Sequence, residues 1–153
     1  MNSDNIFNFV IIPVDKKLEI WNSELYSAGR WDNIFYRGQL SQNEIDNIRC
    51  IDPCRNCYQS WFNIPLIDFE KNKLKQLVKE NYLTNEIIKE KGIAEIEEFG
   101  HDFYYKIKLE ASANYIQVKC KTCNTKHFLV LGITETQPGL YGGQLHGVWR
   151  IKE

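Results

Sequence analysis

The sequence lacks any long hydrophobic run and any large excess of charge. No segment approaches the roughly 18 apolar residues that a membrane-spanning helix needs. The 19 basic and 20 acidic side chains leave a net charge of -1, whereas a protein held on nucleic acid mainly by phosphate contacts carries a basic excess. The first residues contain no basic segment followed by an apolar stretch, so no secretory signal is indicated and we expect a cytoplasmic protein.

Short motifs that identify common enzyme classes are also missing. There is no P-loop, no HExxH, no GxSxG and no glycine-rich dinucleotide fingerprint. His101, His127 and His146 could serve in acid–base chemistry, but a lone histidine in a strand-rich protein is more often a surface or hydrogen-bonded core residue. The glycines around His146 favour a turn or bulge between strands. We therefore predict a protein that is not an enzyme.

The hydrophobic pattern predicts one α+β domain over residues 1–153. A strand over 6–14 is expected to pair with 18–21, and the capping box at 41–44 predicts a short helix that reaches about Arg49. A helical segment at about 68–99 follows, with one helix from Asp68 and a second after Thr84 that breaks near Gly92 and resumes to about Phe99. Four late strands are expected to form an antiparallel meander in the C-terminal half, at Asp102–Leu109, Asn114–Cys120, Lys126–Ile133 and Leu140–Ile151.

The cysteines carry the strongest functional signal. Cys54 and Cys57 form one CxxC pair, and Cys120 and Cys123 form another. Two such pairs offer four soft ligands in tetrahedral geometry, which suits a structural Zn²⁺ ion with no open position for a substrate. Asn124 follows the second pair, where a residue that tolerates positive φ is useful at a hairpin tip. The sequence thus predicts a meander with two or three helices that is stapled by a four-cysteine zinc site: either the helices are an insertion between the two halves of the site, or the site joins the N-terminal half to the late sheet.

Other interpretations of these cysteines remain open. The 62 residues between the pairs are far more than a compact zinc ribbon contains. The four thiols could be separate and buried, or one CxxC could be a redox motif, although neither pair opens a helix after a strand. Cys50 or His127 could replace one of the four ligands, because each lies four residues from a paired cysteine.

Charge is distributed unevenly along the chain. Residues 84–114 carry seven acidic and four basic side chains, a net charge of -3. This pattern is typical of a solvated face, or of an acidic surface that meets a basic partner. In the second interpretation the partner-binding residues are Glu95, Glu97, Glu98 and Asp102.

The chain as a whole resembles small bacterial immunity proteins, the cognate inhibitors of contact-dependent-inhibition and polymorphic toxins. The resemblance is collective: a single domain of this length, many Ile, Asn and Lys residues, no catalytic motif, an acidic segment, and the block 137–149. It implies tight binding to a toxin domain, occlusion of the active site of that toxin, and no chemistry of its own. Toxin nucleases are usually basic, so an acidic surface would speed association.

A zinc-containing nucleic-acid-associated protein is the alternative function. Lys119, Lys121 and Lys126 surround the second cysteine pair. Several aromatic residues could stack on nucleotide bases, although at strand periodicity about half of them belong to the core by default. These aromatic residues are Trp61, Phe62, Phe103, Tyr104, Tyr105, Tyr115 and Trp149.

Overall fold

The computed structural model describes residues 9–20, 35–36, 47–54, 56–59, 61–65, 72–107, 111–137 and 140–152; for 35–36, 47–53, 61–65, 133–137 and 140–145 only the backbone is described. This part of the chain contains nine strands and two helices, which confirms the predicted α+β class. The strands are β1 (Phe9–Ile12), β2 (Phe35–Tyr36), β3 (Asn47–Pro53), β4 (Trp61–Pro65), β5 (Glu95–Phe99), β6 (Asp102–Lys106), β7 (Ala113–Cys120), β8 (Lys126–Gln137) and β9 (Leu140–Arg150). The helices are α1 (Leu74–Lys79) and α2 (Asn85–Lys91).

Five strands form one antiparallel sheet in the order β1-β7-β8-β9-β2. The consecutive strands β7, β8 and β9 form the predicted meander. The first of the four strands expected in that meander, which corresponds to β6, instead pairs with β5 in a separate two-stranded sheet. The expected partner of the first strand is also wrong, because β1 pairs with β7, and Ile20 forms an isolated bridge with Ile151.

Two segments predicted as helix are strands. The helix expected to reach Arg49 is wrong at its end, because Asn47–Pro53 pairs with β4; the capping box at 41–44 lies outside the described residues. The helix expected to resume after Gly92 is wrong as well. Gly92 ends α2 in a left-handed conformation (φ 66°), and Glu95–Phe99 then pairs with β6. Pairing with β6 across the tight turn at Gly100 outweighs the helix preference of the glutamates, because strand formation depends strongly on the available partner.

Helix α1 begins later than the sequence predicts. Asp68, the expected start, lies outside the described residues, but Lys73 is extended and forms an isolated bridge with Asn114, so the first residue of α1 is Leu74. Thr84 caps α2, as its hydroxyl accepts the N–H of Ile87 at 3.3 Å. Neither helix is long and apolar enough to cross a membrane.

Both helices and the β5–β6 hairpin pack against one face of the five-stranded sheet. Leu74 and Leu77 of α1 and Ile88 of α2 are fully or almost fully buried there. Burial of such side chains stabilises each by about 1.5–3 kcal/mol relative to exposure. The sheet contributes Phe128, Val130 and Trp149 to this cluster, and the hairpin contributes Tyr105.

Trp149 joins this cluster because β9 contains a glycine and a bulge. A Cβ atom at Gly147 would lie 2.6 Å from Cη2 of Trp149, so only glycine allows the indole ring to lie over this position. Val130 pairs with Gly147 and Leu131 with Leu145, so His146 is the extra residue of a bulge. The bulge predicted from the glycines is therefore present, and Gly147 allows the ring of Trp149 to lie close to the backbone of β9.

Opposite strand positions show which side chains share the other face of the sheet. Phe9 pairs with Cys120, and Val118 pairs with His127, whereas Phe128 and Trp149 point to the helices. Phe9, Val118, Cys120 and His127 are all completely buried. The face opposite to the helices therefore carries one predicted ligand, Cys120, within an apolar environment.

Candidate metal centre

Each cysteine pair lies at the tip of a β-hairpin. Cys54 and Cys57 lie between β3 and β4, and the Cys120–Cys123 pair begins at the last residue of β7, just before β8. In the second hairpin the N–H of Cys120 donates to the carbonyl of Thr125 at 2.9 Å. Two tight turns, formed by distant parts of the chain, thus present the four thiols.

The two turns have the same local geometry. The carbonyl of Cys54 accepts the N–H of Tyr58 at 3.1 Å, and the carbonyl of Cys120 accepts the N–H of Asn124 at 2.8 Å. The accepting and donating residues are four positions apart in both turns. Tyr58 has φ 58° and Asn124 has φ 64°, so a left-handed residue directly follows the second cysteine of each pair. The conformation expected for Asn124 is therefore confirmed.

The left-handed conformation is unfavourable for Tyr58, which is also 54% exposed. We expect Tyr58→Asn to raise the free energy of unfolding of the metal-loaded protein by about 0.5 kcal/mol, because asparagine tolerates this conformation. Urea denaturation measures the change. Tyr58→Val is the matched comparison and should be destabilising, because a β-branched residue fits positive φ even less well. A Tyr58→Asn protein less stable than the Tyr58→Val protein would contradict this explanation.

The structure brings together the four sulfur atoms that the sequence predicts as ligands. Sγ of Cys54 lies 3.6 Å from Sγ of Cys123, and Sγ of Cys57 lies 3.8 Å from Sγ of Cys120. All four sulfurs lie within 4.8 Å of one another. In a tetrahedral site with zinc–sulfur bonds of about 2.3 Å, neighbouring sulfurs are about 3.8 Å apart. The arrangement therefore fits a single metal ion, and each close pair joins one hairpin to the other.

Burial and hydrogen bonding give the thiols different proton affinities. Burial raises the pKa of Cys54 to about 12, although the backbone N–H groups of Cys57 and Asn56 counteract it. Burial also raises the pKa of Cys123, but its hydrogen bonds with Thr125 and Asn56 outweigh this effect and lower the pKa to about 6. Cys123 therefore loses its proton more readily than Cys54, and a bound cation would favour the thiolate form of both.

Polar residues other than the four cysteines surround the sulfurs. Nε2 of the buried His127 lies 3.7 Å from Sγ of Cys54, and its ring meets the edge of Phe9 with centroids 5.9 Å apart. The backbone N–H of Asn56 donates to Sγ of Cys54 at 3.5 Å, and Oδ1 of Asn56 accepts from Arg150 at 3.4 Å. Such contacts orient metal ligands and stabilise their charge.

The sequence indicates His127 as a replacement ligand or an acid–base residue, and it does not indicate Asn56 or Arg150. The alternation of side chains along β8 and β9 would place His127 and Arg150 on one face, but only if the register were known. Asn56 lies inside a CxxC pair, which is the one signal that the sequence offered. For Cys50, the other possible replacement ligand, the structure describes only the backbone, in β3.

The four acidic residues predicted to bind a partner share the β5–β6 hairpin but not one surface. Glu95 and Glu98 are exposed. Glu97 forms an ion pair with Lys106, and Asp102 forms one with Lys75 at 2.8 Å, which lowers the pKa of Asp102. Glu97 and Glu98 are adjacent in β5, and side chains of adjacent strand residues point to opposite faces, so these two carboxylates lie on opposite faces of the hairpin.

The three histidines lie apart in the fold. His101 is exposed in the turn between β5 and β6, His127 is buried beside Cys54, and His146 is buried with Nε2 3.0 Å from the carbonyl oxygen of Gly92. Comparison with protein-family models, with curated proteins and with solved structures found no match to this chain. The functional assignment therefore depends on the chemistry of the chain itself.

Proposed function

We propose that the four cysteines hold one Zn²⁺ ion that stabilises the fold. The sulfur separations support this proposal because they match a tetrahedral shell of thiolates. Thiolates also favour zinc over magnesium or calcium, which prefer oxygen ligands. Four protein ligands leave zinc without an open position, so the ion has a structural role and does not act on a substrate.

The position of the four cysteines explains why a bound ion would contribute to folding. It would join the tip of the β3–β4 hairpin to the tip of the β7–β8 hairpin, and 62 residues separate Cys57 from Cys120 in the chain. Closing such a long loop restricts the unfolded chain, and the binding energy of the metal becomes part of the folding energy. All four thiols are free of disulfides, which is the form that a metal requires.

We further propose that the protein is a zinc-stabilised cytoplasmic immunity protein that binds a cognate toxin domain, a basic nuclease, and occludes its active site. The observation that carries this proposal is the β5–β6 hairpin with its exposed carboxylates. Among the described residues, Glu95 and Glu98 have no ion-pair partner, so their negative charge remains available to a basic protein. Complementary charge of this kind speeds association and fixes orientation.

Co-expression with a candidate toxin nuclease domain tests this function. We expect a stable complex at micromolar concentration and loss of toxin activity within it. The double variant Glu95→Lys and Glu98→Lys should lower the association rate constant about tenfold at low salt. Asp15→Lys with Glu19→Lys is the matched control, since it makes the same charge change at two exposed acids outside the hairpin. Absence of a complex at micromolar concentration would refute the proposal.

The alternative nucleic-acid function near the second cysteine pair receives little support from the surrounding aromatic residues. Phe128 and Trp149 are completely buried, and the ring of Tyr115 stacks on Phe128 with centroids 5.7 Å apart. The two buried rings stabilise the core and cannot stack on a base.

A further inference from the structure

A second candidate site lies at the β5–β6 hairpin, separate from the cysteines. An open groove of about 800 Å³ forms where this hairpin meets the start of α1 and the start of β7. We call it the aromatic groove. Its principal side chains are Lys73, Lys75, Glu97, Phe99, Tyr104 and Lys106. A volume of about 300–1,000 Å³ is typical of small-molecule sites.

Strand pairing shows which side chains point into the aromatic groove. Glu97 lies opposite Tyr104, so they share a face, and Phe99 shares it because side chains two positions apart in a strand point the same way. The other face of the hairpin packs on the core through Ile96 and Tyr105. The outward face therefore carries aromatic rings that the fold does not need for its core.

The two rings of the aromatic groove are unusually exposed. Phe99 is 57% exposed and Tyr104 is 47% exposed, and their ring centroids lie 5.3 Å apart in an edge-to-face arrangement. The ammonium group of Lys75 lies 4.8 Å from the Tyr104 centroid and covers one side of that ring. Phe99 therefore offers the more open surface for stacking.

Positive charge lines the same groove. Three of its side chains are lysines, and Glu97 is its one carboxylate among the described lining residues. Lys106 is paired with Glu97, and Lys75 is paired with Asp102 at 2.8 Å. Lys73 is exposed and has no ion-pair partner within the described ranges, and its backbone is fixed by the bridge to Asn114. The groove thus combines an open ring with an uncompensated cation.

We propose that the aromatic groove binds a nucleotide, with its base stacked on Phe99 and its phosphate beside Lys73 and Lys75. A base supplies the flat ring that an exposed phenyl group accepts, and stacking of this kind contributes about 1–3 kcal/mol per base. A phosphate supplies a negatively charged partner for Lys73, which has no ion-pair partner among the described residues. The local site requires no basic excess in the whole chain, whose net charge is -1. This proposal does not depend on the toxin-binding function, and either can fail alone.

Binding is measured on the zinc-loaded full chain with three probes: AMP, an eight-residue oligouridylate, and inorganic phosphate. AMP should bind with a sub-millimolar dissociation constant in low salt, and phosphate should bind at least tenfold more weakly. An oligonucleotide that binds at least tenfold more tightly than AMP assigns the groove to single-stranded nucleic acid. Equal binding of both assigns it to free nucleotides, and both results support the proposal.

Variants separate stacking from charge. Phe99→Ala should weaken AMP binding at least fivefold, the lower limit for loss of a stacked base, whereas Phe99→Tyr should retain it. Lys73→Ala should weaken binding and reduce its salt dependence, while Lys89→Ala, at an exposed lysine of α2, should not. Circular dichroism confirms that each variant is folded. No AMP binding at millimolar concentration, phosphate binding as tight as AMP binding, or unchanged binding by both Phe99→Ala and Lys73→Ala would overturn the proposal.

Discussion

Replacing Cys120 with serine is expected to abolish stoichiometric zinc binding and to cause a larger loss of stability than the other variants described below. Cys120 is completely buried, and its sulfur lies 3.8 Å from that of Cys57 on the other hairpin. A hydroxyl is a poor zinc ligand, and the remaining thiols would lose the ion that holds them together. The free energy of unfolding should fall by about 4–5 kcal/mol, with a melting temperature lower by roughly 8 °C or more.

The fifth cysteine provides the control for this experiment. Cys50→Ser removes one thiol from β3 but leaves the two CxxC pairs intact, so zinc content should stay at one ion per chain. Elemental analysis of the purified proteins gives the zinc content, and thermal unfolding gives the stability. Retention of full zinc in the Cys120→Ser protein, or loss of zinc in the Cys50→Ser protein, would contradict the assignment of the four ligands.

Trp149→Ala is expected to have the second largest effect, on the opposite face of the sheet. Trp149 is the largest completely buried side chain in the described part of the chain, and its indole N–H donates to the carbonyl of Lys91 at 3.3 Å. Truncation removes the packing of β9 against α2 and leaves a cavity over Gly147. Comparable truncations lower the free energy of unfolding by about 3–5 kcal/mol, which chemical denaturation would measure here.

The zinc content of the Trp149 variants distinguishes this effect from loss of the metal. The folded Trp149→Ala protein should still bind one zinc ion per chain, because the indole ring that it lacks points away from the cysteine cluster in the unchanged protein. Trp149→Phe keeps an aromatic ring but loses the hydrogen bond to Lys91, so its loss should be smaller, near 1–2 kcal/mol. Equal destabilisation by both variants would show that the packing of the indole ring is not the dominant contribution.

The local geometry of the candidate centre could be predicted from the sequence because CxxC spacing is a local signal. Two residues between cysteines fix a tight turn, and Asn124 after the second pair indicates the positive φ that the structure contains. The strands β7, β8 and β9 could also be predicted, since they are rich in β-branched and aromatic residues. The convergence of the four cysteines follows from ligand chemistry, because a tetrahedral thiolate site needs four sulfurs and each CxxC pair supplies two.

The remaining features depend on how segments pair and pack with one another, which a single sequence does not reveal. Glu95–Phe99 is rich in residues that favour helices, yet it is a strand because β6 is available as a partner. The capping box at 41–44 predicted a helix, but the segment that follows pairs with β4. His127 lies beside Cys54 only because the sheet brings β8 under the first hairpin. Residues such as Tyr58 give no sequence signal at all, since tyrosine rarely adopts positive φ.

X-ray absorption spectroscopy at the zinc edge tests the four-cysteine centre most directly. The purified, zinc-loaded protein should show a single shell of four sulfur atoms at about 2.3 Å, with no nitrogen ligand. The position of His127, 3.7 Å from Sγ of Cys54, makes this distinction decisive, because a histidine ligand would appear at about 2.0–2.1 Å. A shell of three sulfurs and one nitrogen, or a protein that contains no zinc, would contradict the assignment of all four ligands to cysteine.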